Sequence, residues 1–183
     1  MPDVISDTTP LQYLFQTGLL DILRRLYGRV IVPEGVAREL WAGRDLGLAV
    51  PDPRDHGWMH VQKPSRIPPA VEEAGLGNGE MQALALGVEL PEVLLLLDDL
   101  EARQCAARLG LEFTGTAGVL VKAKRAGYVQ AVLPVLDLLE SLRFHLDSEI
   151  RSEVLRLAEE CLGHRCQRRQ VCPRVWTGSS KSG

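Results

Sequence analysis

Short apolar runs alternate along the chain with longer segments whose apolar residues recur at helical spacing. The clearest run, residues 93–97, is aliphatic throughout, which is typical of a strand buried on both faces of a parallel sheet. Residues 4–6, 29–32 and 111–113 are shorter candidate strands, and residues 59–61 look extended. Strands that alternate with helices predict an α/β fold with a central parallel sheet wrapped by helices, a three-layer α/β/α arrangement.

Helical periodicity follows most of these runs. Apolar residues at helical spacing from Leu11 to Leu26 are interrupted by Gly18 and closed by Gly28. Residues 43–69, rich in Gly, Pro, Asp and Arg, predict no regular element beyond the extended triplet. The remaining predicted helices follow Pro33 up to about Gly43, the glycine-rich turn before residue 80, Asp98 and Asp99, and Thr116 up to Gly127, and two amphipathic helices cover residues 132–142 and 148–162.

The totals suit one domain. The chain has 183 residues, of which 45% are hydrophobic and 5% aromatic, and its formal net charge is −3. This composition is sufficient for a core and argues against a DNA binder that depends on basic surface alone. The N-terminus shows no basic leader and the longest aliphatic run is too short to cross a membrane, so we expect a cytoplasmic protein that makes no membrane contact, with reduced cysteines.

From Gly163 onward the periodicity disappears. We therefore predict a domain over residues 1–162 and a flexible C-terminal tail over residues 163–183. Zinc is an alternative use of this region, because it contains cysteine and histidine ligand types. Their spacing matches no paired zinc-finger pattern, which argues against that use; the residues concerned are Cys161, His164, Cys166 and Cys172.

Acidic residues stand where predicted strands end or near those ends. Asp7 follows the first strand, and Asp98 and Asp99 follow the clearest one. Glu39 lies on the helix after the second strand, and Glu80 lies at the start of a later helix. Because the carboxyl ends of parallel strands meet at one edge of a sheet, where ligands bind in open α/β sheets, these side chains can converge there.

Convergence has an electrostatic consequence. Two carboxylates about 5 Å apart repel each other by about 3 kcal/mol at an effective dielectric constant of 20, so several cannot stay ionised without protons or a cation. A hard divalent ion with oxygen ligands, Mg²⁺ or Mn²⁺, is the natural partner. Water activated by such an ion and attacking a phosphodiester is the implied chemistry.

Each acid also has a structural interpretation. Asp7 is a common helix-cap type, and one of Asp98 and Asp99 suits the cap of the next helix. Glu39 is also compatible with an exposed helix position, since glutamate is a good helix former. Glu80 suits the first turn of a helix because of the helix dipole. The acids together support a site more strongly than any one of them alone.

Five motifs in order resemble the PIN-domain proteins, in particular a prokaryotic branch related to the toxin ribonucleases of toxin–antitoxin pairs. They are VISDTTPL, VIVPEGVAREL, LGNGEMQALALG, LLLLDDLEARQCAARLGL and TGTAGVLVKAKRAG, and the resemblance spans about residues 3–160. It implies a parallel sheet with flanking helices and an acidic pocket that holds Mg²⁺ or Mn²⁺ and cleaves RNA. It also implies a homodimer.

By position, the resemblance implies a catalytic and metal-binding role for four acids. Asp7 matches the acid that ends the first strand, and Glu39 matches the helical glutamate of the EL motif. Glu80 stands where many members carry aspartate. Asp99 is the choice for the fourth acid, with Asp98 as its possible substitute among the metal ligands.

Candidate substrate-binding residues lie beside these acids in the sequence. The hydroxyl of Thr8 or Thr9 matches the one next to the first acid, and Thr116 either orients a water or phosphate or simply caps a helix. Arg103 and Lys122 are candidate phosphate contacts, with solvated helix positions as the alternative.

The sequence therefore predicts a metal-dependent endoribonuclease, the toxin of a toxin–antitoxin pair or a relative, with RNA as substrate and a cognate antitoxin as a possible partner. The alternative is a catalytically inactive protein of the same fold that binds RNA or a protein partner. The glutamate at position 80 and the ambiguous pair Asp98 and Asp99 leave that alternative open.

Overall fold

One sheet of five parallel strands lies at the centre of residues 3–160, the part of the chain that this computed structural model describes. The strand order is β3-β2-β1-β4-β5, and each neighbouring pair is parallel. The strands are β1 Asp3–Ser6, β2 Val30–Pro33, β3 Met59–Gln62, β4 Val93–Leu96 and β5 Glu112–Thr114.

Helices connect the strands and cover both faces of the sheet. They are α1 Thr8–Gln16, α2 Asp21–Tyr27, α3 Glu34–Asp45, α4 Pro69–Glu72, α5 Asn78–Glu89, α6 Leu100–Arg108, α7 Thr116–Arg125, α8 Leu133–Ser141 and α9 Ser148–Leu157. The break expected at Gly18 separates α1 from α2, and Gly18 there has a φ of +70°, which glycine adopts without steric cost. The sequence did not predict α4 or the 3-10 turn Pro53–Asp55, and α9 ends at Leu157 rather than near residue 162.

Successive residues of the strands point into two separate cores. Val4 packs with α1, α2, α3 and α7, whereas Ile5 packs with α5 and α6 on the other face. Leu95 and Leu96 of β4 divide in the same way. This alternation follows from the twofold period of a strand, and it explains why β2 and β4 read as continuous apolar runs. The predicted three-layer α/β/α fold is confirmed.

The sheet reverses its direction of growth between β1 and β4. From β1 the chain adds β2 and β3 on one side, and β4 and β5 lie on the other side. The backbone N–H of Asp7 donates to Leu96 O at 3.0 Å, and that of Leu97 donates to Thr114 O at 2.9 Å. These bonds extend strand pairing to Asp7 itself and to Leu97, the residue before Asp98. Both acidic positions therefore lie at the crevice that this topology opens at the carboxyl edge.

Two sequence predictions fall on other parts of the chain. The tail over residues 163–183, with Cys166 and Cys172, and the question of zinc at Cys161 and His164 lie outside the described residues. Cys105 is a buried free thiol of α6. Within residues 3–160, none of the helices combines the length and the apolar character that a bilayer crossing requires.

Candidate active site at the carboxyl edge of the sheet

Asp7 is the most buried acid at the carboxyl edge. It occupies the N-cap position of α1, but its side chain makes no capping hydrogen bond, and the residue is 4% exposed. Burial raises the pKa of its carboxyl from 3.8 to about 7; the backbone N–H of Thr8 opposes that rise, and the charges of Glu80, Glu39 and Asp98 add to it. Asp7 is therefore a desolvated carboxyl among other carboxylates.

Asp98 and Asp99 are adjacent in sequence but accept hydrogen bonds from different helices. Asp99 is the N-cap of α6, where its Oδ1 accepts from the backbone N–H of Ala102 at 2.9 Å. Asp98 instead binds the first residue of α7: Thr116 donates to it through the backbone N–H, 2.9 Å from Oδ1, and through its hydroxyl. Burial raises the pKa of Asp98 although both Thr116 bonds and the Arg103 charge oppose it. Asp98 lies near enough to Asp7 for its charge to raise the pKa of Asp7, whereas Asp99 is held at the start of α6.

Glu39 and Glu80 are positioned by the start of α5. The backbone N–H of Gly79 donates to Glu39 Oε1 at 3.0 Å, and the Thr8 hydroxyl donates to Glu39 Oε2. Glu80 accepts from the backbone N–H of Gly77 at 2.9 Å. Burial raises the pKa of Glu80, against the Gly77 bond and together with the charges of Asp99, Glu39 and Glu101. The exposed Glu39 is thus tied to both α1 and α5.

Two glycines let backbone approach these acids closely. A Cβ on Gly79 would lie 2.8 and 2.9 Å from the carboxylate oxygens of Glu39. A Cβ on Gly115 would lie 2.5 Å from Asp98 Oδ1 and 2.0 Å from Arg103 Nη2. All four distances are below van der Waals contact, so these positions require glycine while the acids hold their present places. No role was predicted for these glycines, although GNGE and TGT in the motifs were a signal for them.

We name the five acids Asp7, Glu39, Glu80, Asp98 and Asp99 the acid edge. The four predicted catalytic positions and the substitute Asp98 lie at one edge of the sheet, near enough that the charges of Glu80, Glu39 and Asp98 raise the pKa of Asp7 and that of Asp99 raises the pKa of Glu80. Of these five acids, only Asp98 forms an ion pair within the described residues. Its partner is Arg103, whose Nη2 lies 3.4 Å from Asp98 Oδ1. Coulomb repulsion therefore remains largely uncompensated at this edge.

The donor chemistry of the acid edge fits a hard divalent cation, because all its ligand groups are carboxylate oxygens. The buried Asp7 carboxyl, which lacks a basic partner within the described residues, is the observation that supports the fit. Within residues 3–160, no three histidine, cysteine or acidic side chains are already grouped closely enough to hold a metal ion. Glu39, Glu80, Asp98 and Asp99 each accept a hydrogen bond from a backbone N–H, which orients the carboxylate and leaves it further acceptor capacity.

The predicted substrate-binding residues divide into two groups. Arg103 lies at the acid edge: its Nε donates to Leu97 O at 2.7 Å and its Nη2 to Asp98. Thr8 reaches Glu39, and Thr9 is half-buried in the first turn of α1. Thr116 is neither a helix cap nor open to solvent, since Gly115 is the cap and Thr116 is fully buried against Asp98.

Lys122 lies elsewhere. Its Nζ is 4.3 Å from the centre of the Tyr27 ring, and Tyr27 ends α2 just before β2 begins. That position is at the amino edge of the sheet, consistent with six residues of helical rise, about 9 Å, between Thr116 and Lys122. The structure therefore does not bring Lys122 to the acids.

Comparison with protein families gives one match. A family model described as a PIN domain matches residues 3–160, which include the whole sheet and all five members of the acid edge. Comparison with curated proteins found no match.

Proposed function

The chain belongs to the PIN-domain family, whose members are typically nucleases, and from that premise we propose that it is a metal-dependent endoribonuclease. The reaction would be hydrolysis of RNA phosphodiester bonds. The single observation that supports this proposal most strongly is the gathering of five acids at the crevice between β1 and β4, one of them buried without a basic partner in the described chain.

Mg²⁺ or Mn²⁺ is the cofactor that the donor set favours. Asp7, Glu39, Glu80 and Asp98 would hold it, and Asp99 borders the site from the cap of α6. When bound, such an ion neutralises the acids and lowers the pKa of a water that can attack phosphorus. The protein contributes a dry position for the Asp7 carboxyl and helix N-termini that keep Glu39 and Asp98 oriented.

Arg103 is the side chain best placed to bind the substrate phosphate. Its guanidinium is held by Leu97 O and Asp98, is 31% exposed, and has further N–H groups for an anion. The Thr8 hydroxyl acts differently: it donates to Glu39 and so fixes that carboxylate. A net charge of −3 makes this local arginine and the bound cation more important, because the protein as a whole does not attract RNA.

The finer biological role follows from the resemblance described above. We propose a cytoplasmic toxin-type nuclease, or a relative that processes RNA, that works as a homodimer and is controlled by a cognate antitoxin. A neighbouring gene for a small DNA-binding protein would support the toxin role.

A cleavage assay tests the proposed activity. A mixed RNA pool is incubated with the protein and Mn²⁺, with and without chelator. We expect the wild type to cleave only without chelator and Asp7→Asn to be slower by about 100-fold or more, the scale on which essential acid–base groups act. Asp21→Asn, which changes an exposed aspartate at the start of α2, is the matched control and should cleave like the wild type.

Absence of metal-dependent cleavage would favour a second function. Each of Glu39, Glu80, Asp98 and Asp99 already accepts protein hydrogen bonds, and the described residues contain no preformed group of three metal ligands. This observation supports the alternative of an inactive PIN fold that binds RNA or a protein. Equal rates for the wild type and Asp7→Asn, or cleavage that survives chelation, would reject the metal-dependent site.

A further inference from the structure

A cavity adjoins the acid edge. It has a volume of about 430 Å³ and shares Asp98 with the acid edge. Its other walls come from α6, α7, residues 144–147 between α8 and α9, and Ile150 at the start of α9. This volume lies in the range of about 300–1,000 Å³ that small-ligand sites occupy, so the cavity is large enough for a group that accompanies the reacting phosphate.

The walls of this cavity are mainly apolar, and its rim carries the exposed side chains of Leu100, Asp147 and Ile150. Phe144 is 8% exposed, and its ring packs edge-on against Tyr13 with 4.9 Å between ring centres, which fixes one wall. Ala117 and Leu146 are half-buried beside it. His145 is exposed next to Phe144, and Arg103 lies on the side of the acids.

Backbone geometry explains how Phe144 and His145 come to lie together at the cavity. Arg143 has a φ of +66°, an uncommon conformation for a non-glycine residue. It turns the chain after α8, so that the Phe144 N–H donates to Leu139 O at 3.0 Å and the next residue faces outward. The segment is thus a formed turn against the core.

We propose that this cavity binds one base of a single-stranded RNA, immediately beside the phosphodiester at the acid edge. The inference deepens the proposed nuclease function and rests on it. A nucleobase has flat apolar faces and polar edges, which match an apolar interior with His145 and Arg103 at its rim. Because Asp98 belongs to both sites, a strand whose phosphate lies at the acids places a neighbouring nucleoside at the cavity.

The cavity requires an unpaired base. In a duplex the base is stacked and paired, so it cannot enter a cavity between a loop and two helices; a base in a loop or an unpaired end can. Arg103, whose guanidinium is fixed by Leu97 O and Asp98, lies where it can bind the backbone or a base edge at the boundary of the two sites.

The first experiment measures binding without cleavage. In an Asp7→Asn background, fluorescence anisotropy follows a short labelled single-stranded RNA and the same strand with one abasic position. We expect His145→Ala to weaken binding of the intact strand by about tenfold, the scale of one stacked base, and to leave a strand abasic at the bound position unaffected. His60→Ala, an exposed histidine on the edge strand β3, is the matched control and should bind like the background.

A second variant fills the cavity. Ala117→Leu adds volume from α7 with a good helix former, so it should weaken binding at least as much as His145→Ala while circular dichroism keeps the parent spectrum. Sequencing of wild-type cleavage ends should show a base preference at one flanking nucleotide that both variants flatten.

The outcomes separate this inference from the proposed function. Equal affinity of the background, His145→Ala and Ala117→Leu proteins for the intact strand overturns the base site, even if the wild type cleaves RNA. Tighter binding of a duplex than of a single strand also overturns it. If the wild type does not cleave, the binding comparison still decides the base site, while the nuclease proposal fails separately.

Discussion

Two aspartates of this chain are equally buried and have opposite surroundings. Asp7 is 4% exposed and Asp52 is 5% exposed. Asp52 accepts hydrogen bonds from the Trp41 indole at 3.1 Å and from the side chains of Arg44 and Arg54. Hydrogen bonds from Arg54 hold the pKa of Asp52 well below its usual range, whereas burial among acids raises that of Asp7 to about 7.

The comparison separates a structural carboxylate from a functional one. Asp52 fastens the turn Pro53–Asp55 to α3, and its charge is matched within the protein. Asp7 weakens the metal-free fold when it ionises, because neither solvent nor a cation compensates its charge. A buried group that destabilises the free protein is expected where a ligand supplies the missing charge.

The largest expected effect is a difference in pH dependence. Between 3.8 and about 7 the folded state keeps the Asp7 proton and the unfolded state does not, so the free energy of unfolding falls as pH rises. One proton contributes about 1.4 kcal/mol per pH unit, or about 4 kcal/mol across the interval. Urea unfolding in chelator should show this fall in the wild type, and Asp7→Asn should lose the Asp7 contribution while keeping those of Asp98 and Glu80, whose pKa values are also raised.

Asp52 provides the internal contrast for that measurement. Its folded-state pKa is lowered, so its stabilisation is complete above the ordinary aspartate pKa and is lost as pH falls through the lowered value. If the wild-type and Asp7→Asn curves run parallel from pH 4 to pH 7, Asp7 does not carry the uncompensated charge assigned to it.

A bound divalent ion should compensate the charge of Asp7, as the arginines compensate that of Asp52. At a Mn²⁺ concentration of one hundred times its Kd, the free energy of unfolding of the wild type should rise by about 2.7 kcal/mol. Asp7→Asn should lose most of this rise, and Asp21→Asn should keep it. Thermal unfolding with and without Mn²⁺ is the measurement, and an equal rise in all three proteins would contradict a metal site at the acid edge.

Glycine positions test whether close backbone approach sets the acids in place. Gly115→Ala puts a methyl group 2.5 Å from Asp98 Oδ1 and against Arg103, so both must move. A displacement of about 1 Å can reduce a catalytic rate by about 100-fold, and we expect a loss of this size in RNA cleavage. Gly57→Ala is the matched control, since a Cβ there meets nothing within 4 Å. Wild-type cleavage by Gly115→Ala would refute the positioning role.

The smallest expected effect is that of the structural aspartate itself. Asp52→Ala removes hydrogen bonds to Trp41 and to two arginines that remain more than half exposed, so it should cost about 2 kcal/mol of unfolding free energy. The cleavage rate per folded molecule should not change. Asp55→Ala, whose exposed carboxylate lies 3.5 Å from Arg44, should change stability by less than about 0.5 kcal/mol. A lower cleavage rate in folded Asp52→Ala would place this cluster in the site.

The sequence predicted the strands well because their signal is local. β1, β2 and β4 are mainly apolar and each is followed by a helix with its own periodicity, and the order of these segments implies a parallel sheet. The helix α4 and the turn Pro53–Asp55 were not predicted, because the prolines, glycines and charged residues around them show no periodicity. The turn is held against α3 by contacts such as the hydrogen bond from Trp41 to Asp52.

The candidate site was predictable in its residue types and less so in its details. Asp98 and Asp99 are both plausible from sequence, and only the structure shows that Asp99 caps α6 while Asp98 binds Thr116 at the start of α7. Lys122 was a candidate phosphate contact because its helix starts at Thr116, but six residues of helical rise place it beside Tyr27 at the other edge of the sheet. His145 had no partner in its spacing, and its relation to Asp98 depends on how α8 and α9 pack.

By itself the sequence determined that apolar strands alternate with amphipathic helices and that acids follow two of those strands. The tertiary structure decided that β1 and β4, some ninety residues apart, are neighbours, and so brought Asp7 and Asp98 to one crevice. Periodicity acts over a few residues, because it reflects the geometry of a single helix or strand. Strand order depends on how all the helices share the two faces of the sheet, and that sum over distant contacts is not contained in any one segment.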